Sequence, residues 1–258
     1  MEELSNSAAR HLDALGATLP VSGKMREDLD QKGFTIIENV VDADWLEDMR
    51  RTFDSLVARE GENLAIEHHQ EDGATRIANL VNKGTVWEKV WAHPLVLAAC
   101  HHIFAGEFKI SSLNAREALL GGGHQPLHAD WKKPRPDFPK VHLVNSIWAI
   151  DDLSSENGAP RILPGTHLRP ELPEDVLADV EAPHPDEVVF ECPAGSVMIF
   201  NAHTWHGGTT NKTGARRRVL HGLYIDRQDT AQQEQQKWIT AHTLSRLTPA
   251  QKWLLDVG

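Results

Sequence analysis

Residues 157–167 read Asn157-Gly158-Ala159-Pro160-Arg161-Ile162-Leu163-Pro164-Gly165-Thr166-His167, a short apolar run set between Asn, Gly and Pro. The same texture extends outward from Phe108 to Tyr224. There the runs 109–113, 141–150, 188–190, 196–200 and 219–224 are separated by Gly, Pro and Asn clusters. Short strands so spaced predict an antiparallel sandwich or barrel.

Helical patterns flank this region. Gly33 breaks a polar helix and Phe34-Thr35-Ile36-Ile37 reads as a short strand. Asp42 is placed to cap a helix whose apolar positions are Trp45, Leu46, Met49, Phe53, Leu56 and Val57, a spacing of three and four that marks one buried face. A second helix is expected over Pro94–Phe104, with Pro94 in its first turn. Residues 169–185 are acidic and proline-containing and read as a surface insertion. The tail is helical in pattern, with Trp238, Leu244, Leu247, Trp253 and Leu254 as packing candidates. A single domain over 1–258 is therefore expected: an arm to residue 23, helices over 24–107, a β core over 108–227 and a helical tail over 228–258.

Composition narrows the function. A formal net charge of −11 opposes a phosphate-tracking surface, so no nucleic-acid partner is expected. No apolar run approaches the roughly 18 residues of a membrane span. The opening MEELSNSAARHLDALG is polar and acidic, unlike a signal peptide. Two cysteines make no disulfide framework, so a reducing cytoplasm is expected. Monomer or weak homo-oligomer is the expected state, with a small molecule as partner. Of the 15 histidines, His68, His69, His101 and His102 read as surface or packing residues.

His-x-Asp occurs three times, as His11-Asp13, His128-Asp130 and His184-Asp186, where chance gives about one. His11 lies in the polar arm and His184 between two prolines. His128-Asp130 follows Gly121-Gly122-Gly123-His124-Gln125-Pro126 at the edge of the β region. On an extended segment, residues two apart project to one face and can reach one ion. A third ligand must come from elsewhere. His203 and His206 both follow the strand pattern at 196–200, and on chemistry alone either serves. Two histidines and one carboxylate leave coordination positions open, as a non-haem Fe(II) oxygenase needs.

Several blocks together resemble the phytanoyl-CoA dioxygenase family of Fe(II)/2-oxoglutarate oxygenases. They are Gly33-Phe34 through Trp45, then Gln125 through Asp130, then Trp148-Ala149-Ile150-Asp151-Asp152 and Asn157 through His167. The last runs from Gly195-Ser196 through His206-Gly207 to Asn211-Lys212-Thr213 and the arginines. The resemblance implies a double-stranded β-helix, the jelly-roll or cupin-like core. It implies Fe(II) held by His128, Asp130 and His206, with 2-oxoglutarate and O2 as cosubstrates. The distal ligand in that pattern is the histidine followed directly by glycine, which selects His206 over His203. The cosubstrate arginine follows eleven residues later, at Arg217; a slip of one would choose Arg216 or Arg218 instead.

Fe(II), Asp130, the 2-oxoglutarate dianion and Arg217 would together be neutral, and a guanidinium fork suits a carboxylate. The implied reaction is oxidation, most simply hydroxylation, of a substrate C–H bond with release of succinate and CO2. Asp130, where a halogenase would have Ala or Gly, argues against halogenation. The resemblance further implies that Gln125 and Trp148 line the cosubstrate pocket. Where the family often has Ser, this chain has Gly208, for which Thr209 or Thr210 is the expected substitute. His124, Trp131, Asn79 and Arg161 are candidate substrate contacts. Two other readings of the same residues stay open: a metal-binding jelly roll without turnover, and a zinc hydrolase.

Overall fold

The computed structural model describes residues 5–65, 70–132 and 135–258. His68 and His69 lie outside the described residues. Among the described residues nine strands run in chain order: β1 (Phe34–Ile37), β2 (Ala74–Ile77), β3 (Phe108–Ala118), β4 (Leu143–Ala149), β5 (Pro160–Ile162), β6 (Val188–Val189), β7 (Val197–Asn201), β8 (His206–Gly208) and β9 (Arg218–Asp226). Six form a sheet in the order β1-β7-β4-β9-β3-β2, and three form a second sheet in the order β6-β5-β8. Every pairing is antiparallel. The result is the mainly β jelly-roll class with flanking helices.

Strand alternation sorts side chains between two cores. Phe34, Ile147, Ala149, Met198, Phe200 and Val219 of the large sheet pack against Ala159, Ile162, Phe190 and Cys192 on the side of the small one. Their neighbours Val144, Trp148, Val197, Ile199, Leu220 and Tyr224 turn the other way, into a larger core shared with the helices. That core receives Met25 and Leu29 of a helix α2 (Gly23–Gln31), which follows the short arm helix α1 (Asn6–Ala14). It also receives Trp45, Met49, Phe53 and Leu56 of α3 (Ala43–Glu60). Asp42 caps α3 through a 2.8 Å bond from the Trp45 amide. The short α4 (Glu88–Trp91) and then α5 (Pro94–Phe104) complete the helical layer. Full burial of a side chain such as Phe53 stabilises by about 2–3 kcal/mol.

One expectation needs refinement and one correction. Residues 169–185 lie largely at the surface, as expected, but are not free. They contain one helical turn, α6 (Pro173–Val176), and Leu172 and Leu177 pack on Ala129, Leu163 and Trp205. Val180 O accepts the Leu127 amide at 2.8 Å. Arg161 Nη1 and Nη2 donate to the carbonyls of Ala182, Val180 and Glu181, so the segment is strapped down. In the tail, the last three helices are α7 (Gln235–Trp238), α8 (Ala241–Leu244) and α9 (Pro249–Leu254). Leu247 and Leu254 are buried as expected, but Trp238 is 45% exposed and packs no core.

Candidate metal centre and its cavity

His128 and His206 meet because the segment after the glycine run lies against β8. The His128 amide donates to His206 O at 2.8 Å and the His206 amide to His128 O at 2.9 Å. Asp130 is fixed by its own amide donating to Ala202 O at 3.0 Å. The two chains approach too closely for side chains between them: a Cβ on Gly208 would stand 2.2 Å from Gly123 O, and one on Gly207 would stand 2.6 Å from Gln125 O.

The side chains then converge. Ligand atoms of His128, Asp130 and His206 all lie within 4.8 Å of one another. Nε2 of His206 is 3.5 Å and Nε2 of His128 is 3.9 Å from Asp130 Oδ1. Each imidazole is oriented by its other nitrogen. His128 Nδ1 donates to Pro126 O at 2.8 Å and His206 Nδ1 to Thr204 O at 3.0 Å, which leaves both Nε2 lone pairs facing Asp130. Asn145 Nδ2 donates to Asp130 Oδ2 at 3.0 Å and so leaves Oδ1 for the shared point.

Burial, reinforced by nearby His206, pulls His128 down to about 4, so this ring is neutral at physiological pH. Burial also works against a charged His206, but Asp130 outweighs it and raises the group. Burial would raise Asp130, yet His206, His128 and Asn145 hold it well below the ordinary carboxylate range. A neutral nitrogen donor, an ionised oxygen and a second nitrogen biased by that oxygen are a donor set suited to a divalent ion.

A cavity of about 410 Å³ opens from this cluster and is bordered by Arg217, Gln125 and Gly208. Arg217 is 1% exposed, and its Nε and Nη1 have no hydrogen-bond partner. Burial, with Arg116 nearby, lowers it to about 9, so it remains charged at neutral pH. Its neighbours are occupied. Arg216 pairs with Glu117 and Asp54 at the surface, and Arg218 grips Asp151 through Nε (2.8 Å) and Nη2 (2.7 Å). Of the three consecutive arginines, only Arg217 reaches the cavity, and a buried guanidinium without an acceptor needs an anion.

Other expected residues lie elsewhere. Trp148 is on the helix-facing side of β4, edge-on to His93 and Trp45, because it follows the inward-facing Ile147 by one. Thr209 gives its hydroxyl to Ala159 O at 2.7 Å and does not border the cavity; nor does Thr210. His203 Nε2 accepts the His142 amide at 3.3 Å and is outside the ligand cluster. None of the four expected substrate contacts lines the cavity. His124 pairs with Glu181 at the rim, Trp131 stacks on His142, Asn79 bonds Asn114, and Arg161 holds the strap. The walls come instead from Arg76, Asn114, Asn145, Ile147, His221 and Leu223. Their one available signal was alternation: Asn145 and Ile147 share a face, as do Arg217, His221 and Leu223.

Among described residues no helix is long and apolar enough to cross a membrane. The phytanoyl-CoA dioxygenase (PhyH) family model matches residues 29–219. The dioxygenase aneA of Aspergillus aculeatus is 25% identical over 251 residues, which cover 90% of this chain and 81% of that protein. The structure of HygX from Streptomyces hygroscopicus, with nickel and 2-oxoglutarate bound, aligns with a TM-score of 0.67 at 14% identity, over 82% of this chain and 89% of that one. The non-haem α-ketoglutarate-dependent carbocyclase SnoK of nogalamycin biosynthesis aligns with a TM-score of 0.65 at 19% identity, over 89% and 92%. The chain belongs to the phytanoyl-CoA dioxygenase family, and is a non-haem iron dioxygenase that uses 2-oxoglutarate and O2.

Proposed function

We propose that this enzyme hydroxylates a C–H bond of a small-molecule substrate, with Fe(II) held by His128 Nε2, Asp130 Oδ1 and His206 Nε2. Arg217 binds the far carboxylate of 2-oxoglutarate. The observation that carries this reading is the Arg217 guanidinium, buried and unpartnered, in the same cavity as the three converging ligand atoms. A zinc hydrolase or a passive metal site gives such a group no task.

When bound, iron and 2-oxoglutarate supply the oxidation, with dioxygen consumed and succinate and CO2 released. The protein's own residues position and exclude. Arg217 offers two parallel charge-assisted bonds to a carboxylate. Pro126 O and Thr204 O accept the Nδ1 protons of the two histidines and so turn both Nε2 atoms toward Asp130. Asn145 keeps Asp130 to one free oxygen, and Ile147 and Leu223 give the wall an apolar stretch that limits water.

Anaerobically purified protein supplied with Fe(II), 2-oxoglutarate and a metabolite panel, with and without dioxygen, tests the proposal through succinate release and product mass. A product heavier by one oxygen supports hydroxylation. A product lighter by two hydrogens replaces it with ring closure or desaturation, and oxygen-independent turnover refutes it. We place the enzyme in the cytoplasm as a monomer or weak homo-oligomer of one domain. The buried free thiols Cys100 and Cys192 agree with a reducing compartment, and size-exclusion chromatography tests the oligomeric state.

A further inference from the structure

We infer that the substrate carries an anionic oxygen acid, a carboxylate or phosphate, held by Arg76 beside Gln232; the inference rests on the cosubstrate reading above. Charge comes first. Among the described residues four cationic side chains, Arg76, Arg116, Lys132 and Arg217, border the cavity. Two carboxylates oppose them, Asp130 at the metal cluster and Glu71, which ties Arg76 to Arg116. Fe(II) and the 2-oxoglutarate dianion cancel each other. Two positive charges remain in the loaded site, and a site partly closed to water favours an incoming anion strongly.

Hydrogen bonding points the same way. Arg76 directs Nε and Nη2 to Glu71 Oε2, both at 2.5 Å, and Arg116 takes the same carboxylate at 2.6 and 3.0 Å. Burial opposes ionisation of Glu71, but the two guanidiniums outweigh it and hold it at about 2, so the pair is fixed as ions. On strand β2, at the sheet edge, Arg76 sits opposite Arg116 with Nη1 left over. Gln232 Oε1 is already engaged by Ser112 Oγ at 2.7 Å and by Asn114 Nδ2 at 3.4 Å. Asn114 Oδ1 is in turn taken by the Asn79 amide and Gln233 Nε2. The amide oxygens of Gln232 and Asn114 are thus consumed internally, so Gln232 offers the cavity its NH2 donors. Arg76 Nη1, Gln232 Nε2 and Lys132 Nζ together ask for an oxygen acid rather than for a cation or a neutral donor.

The test uses full-length protein loaded with Mn(II) and 2-oxoglutarate, titrated calorimetrically with benzoate, phenyl phosphate and benzamide. Uptake of 2-oxoglutarate is measured first. Either benzoate or phenyl phosphate is expected to bind about tenfold or more tightly than benzamide; the tighter of the two identifies the acid. Arg76→Gln is expected to erase that preference and Arg76→Lys to restore part of it, while 2-oxoglutarate affinity stays within about threefold. Retained 2-oxoglutarate binding also shows that the variants are folded. No uptake of either acid, equal uptake of benzamide, or a preference that survives Arg76→Gln overturns the proposal alone. Failure of 2-oxoglutarate to bind overturns the cosubstrate reading and this proposal with it, because the charge balance counts that dianion.

Discussion

His128 and His206 clasp each other through two main-chain hydrogen bonds, 2.8 Å one way and 2.9 Å the other, although 78 positions separate them in the chain. The nitrogen bite is therefore set by backbone pairing before any ion arrives. Asp130→Ala removes only the charged arm. It is expected to lower Mn(II) or Fe(II) affinity at least about a hundredfold and to abolish succinate release, while the circular dichroism spectrum stays unchanged. Calorimetric metal binding checks this, and undiminished affinity would remove Asp130 from the ligand set.

The three arginines give three different outcomes. Arg217→Ala is expected to weaken 2-oxoglutarate by about 2–3 kcal/mol, roughly 30- to 150-fold, with metal affinity unchanged. Arg216→Ala, whose side chain is 49% exposed, is expected to change neither by more than about twofold. Arg218→Ala removes two charge-assisted bonds from the buried Asp151 carboxylate, leaving it the residue-218 amide and Arg50 at 3.5 Å, and is expected to cost about 1.5–3 kcal/mol of stability. Equilibrium dialysis and urea melts separate the three.

Asn145→Leu keeps the heavy-atom count and branching but removes the donor to Asp130 Oδ2. Freed to rotate, the carboxylate is expected to hold metal about 10–100-fold less tightly. Asn145→Asp, which places a second negative charge there, tests whether charge or donor geometry matters; tighter metal binding in Asn145→Asp would favour charge.

Gly208→Ser would copy the common family residue. Here its Cβ would stand 2.2 Å from Gly123 O, and backbone cannot yield as a flexible side chain would. The variant is expected to lose stability by about 2 kcal/mol or more and to weaken metal binding. A gain in 2-oxoglutarate affinity without loss of melting temperature would show that β8 can retreat.

Acid sensitivity has a traceable source in His203, pushed down to about 3 by burial and by Arg135 nearby. A histidine with an ordinary group near 6.5 when unfolded takes up its proton there first, so the unfolded chain binds more protons between pH 6.5 and 3. Its contribution is full above about 6.5 and falls by about 1.4 kcal/mol per pH unit below it. Metal-free protein should therefore lose stability from pH 7 to pH 5. His203→Gln, which still accepts the His142 amide, is expected to flatten that slope in paired urea melts.

Much of this was readable from the chain. The helices capped by Asp42 and begun at Pro94 follow from spacing, and the strands at 143–149 and 197–201 from apolar runs between turn residues. Choosing His128-Asp130 over two other pairs needed only the rigidity of its surroundings. Trp148 shows where sequence stops: alternation says that it and Ile147 face opposite ways, but not which one meets the cavity. That is decided by which sheet lies across, a fact about residues 159–192. Asn145, His221 and Arg76 were invisible for the same reason, since a polar residue in an apolar run has no label until a partner is opposite it. Thr209 looked free because its acceptor, Ala159 O, is 50 positions away.

Arg161 reads the segment above the site almost wholly through carbonyl oxygens, those of Gln125, Val180, Glu181 and Ala182, with Glu187 the one side chain it engages. An anchor that recognises the peptide path is indifferent to what hangs from it. At the exposed positions Val176, Ala178, Pro183 and Pro185 the side chains can thus be exchanged while the tether survives, whereas Leu177 is tied to Ala129, Leu163 and Trp205. That makes these positions a natural place for laboratory selection to alter the outer surface of the strap without disturbing the chemistry beneath it.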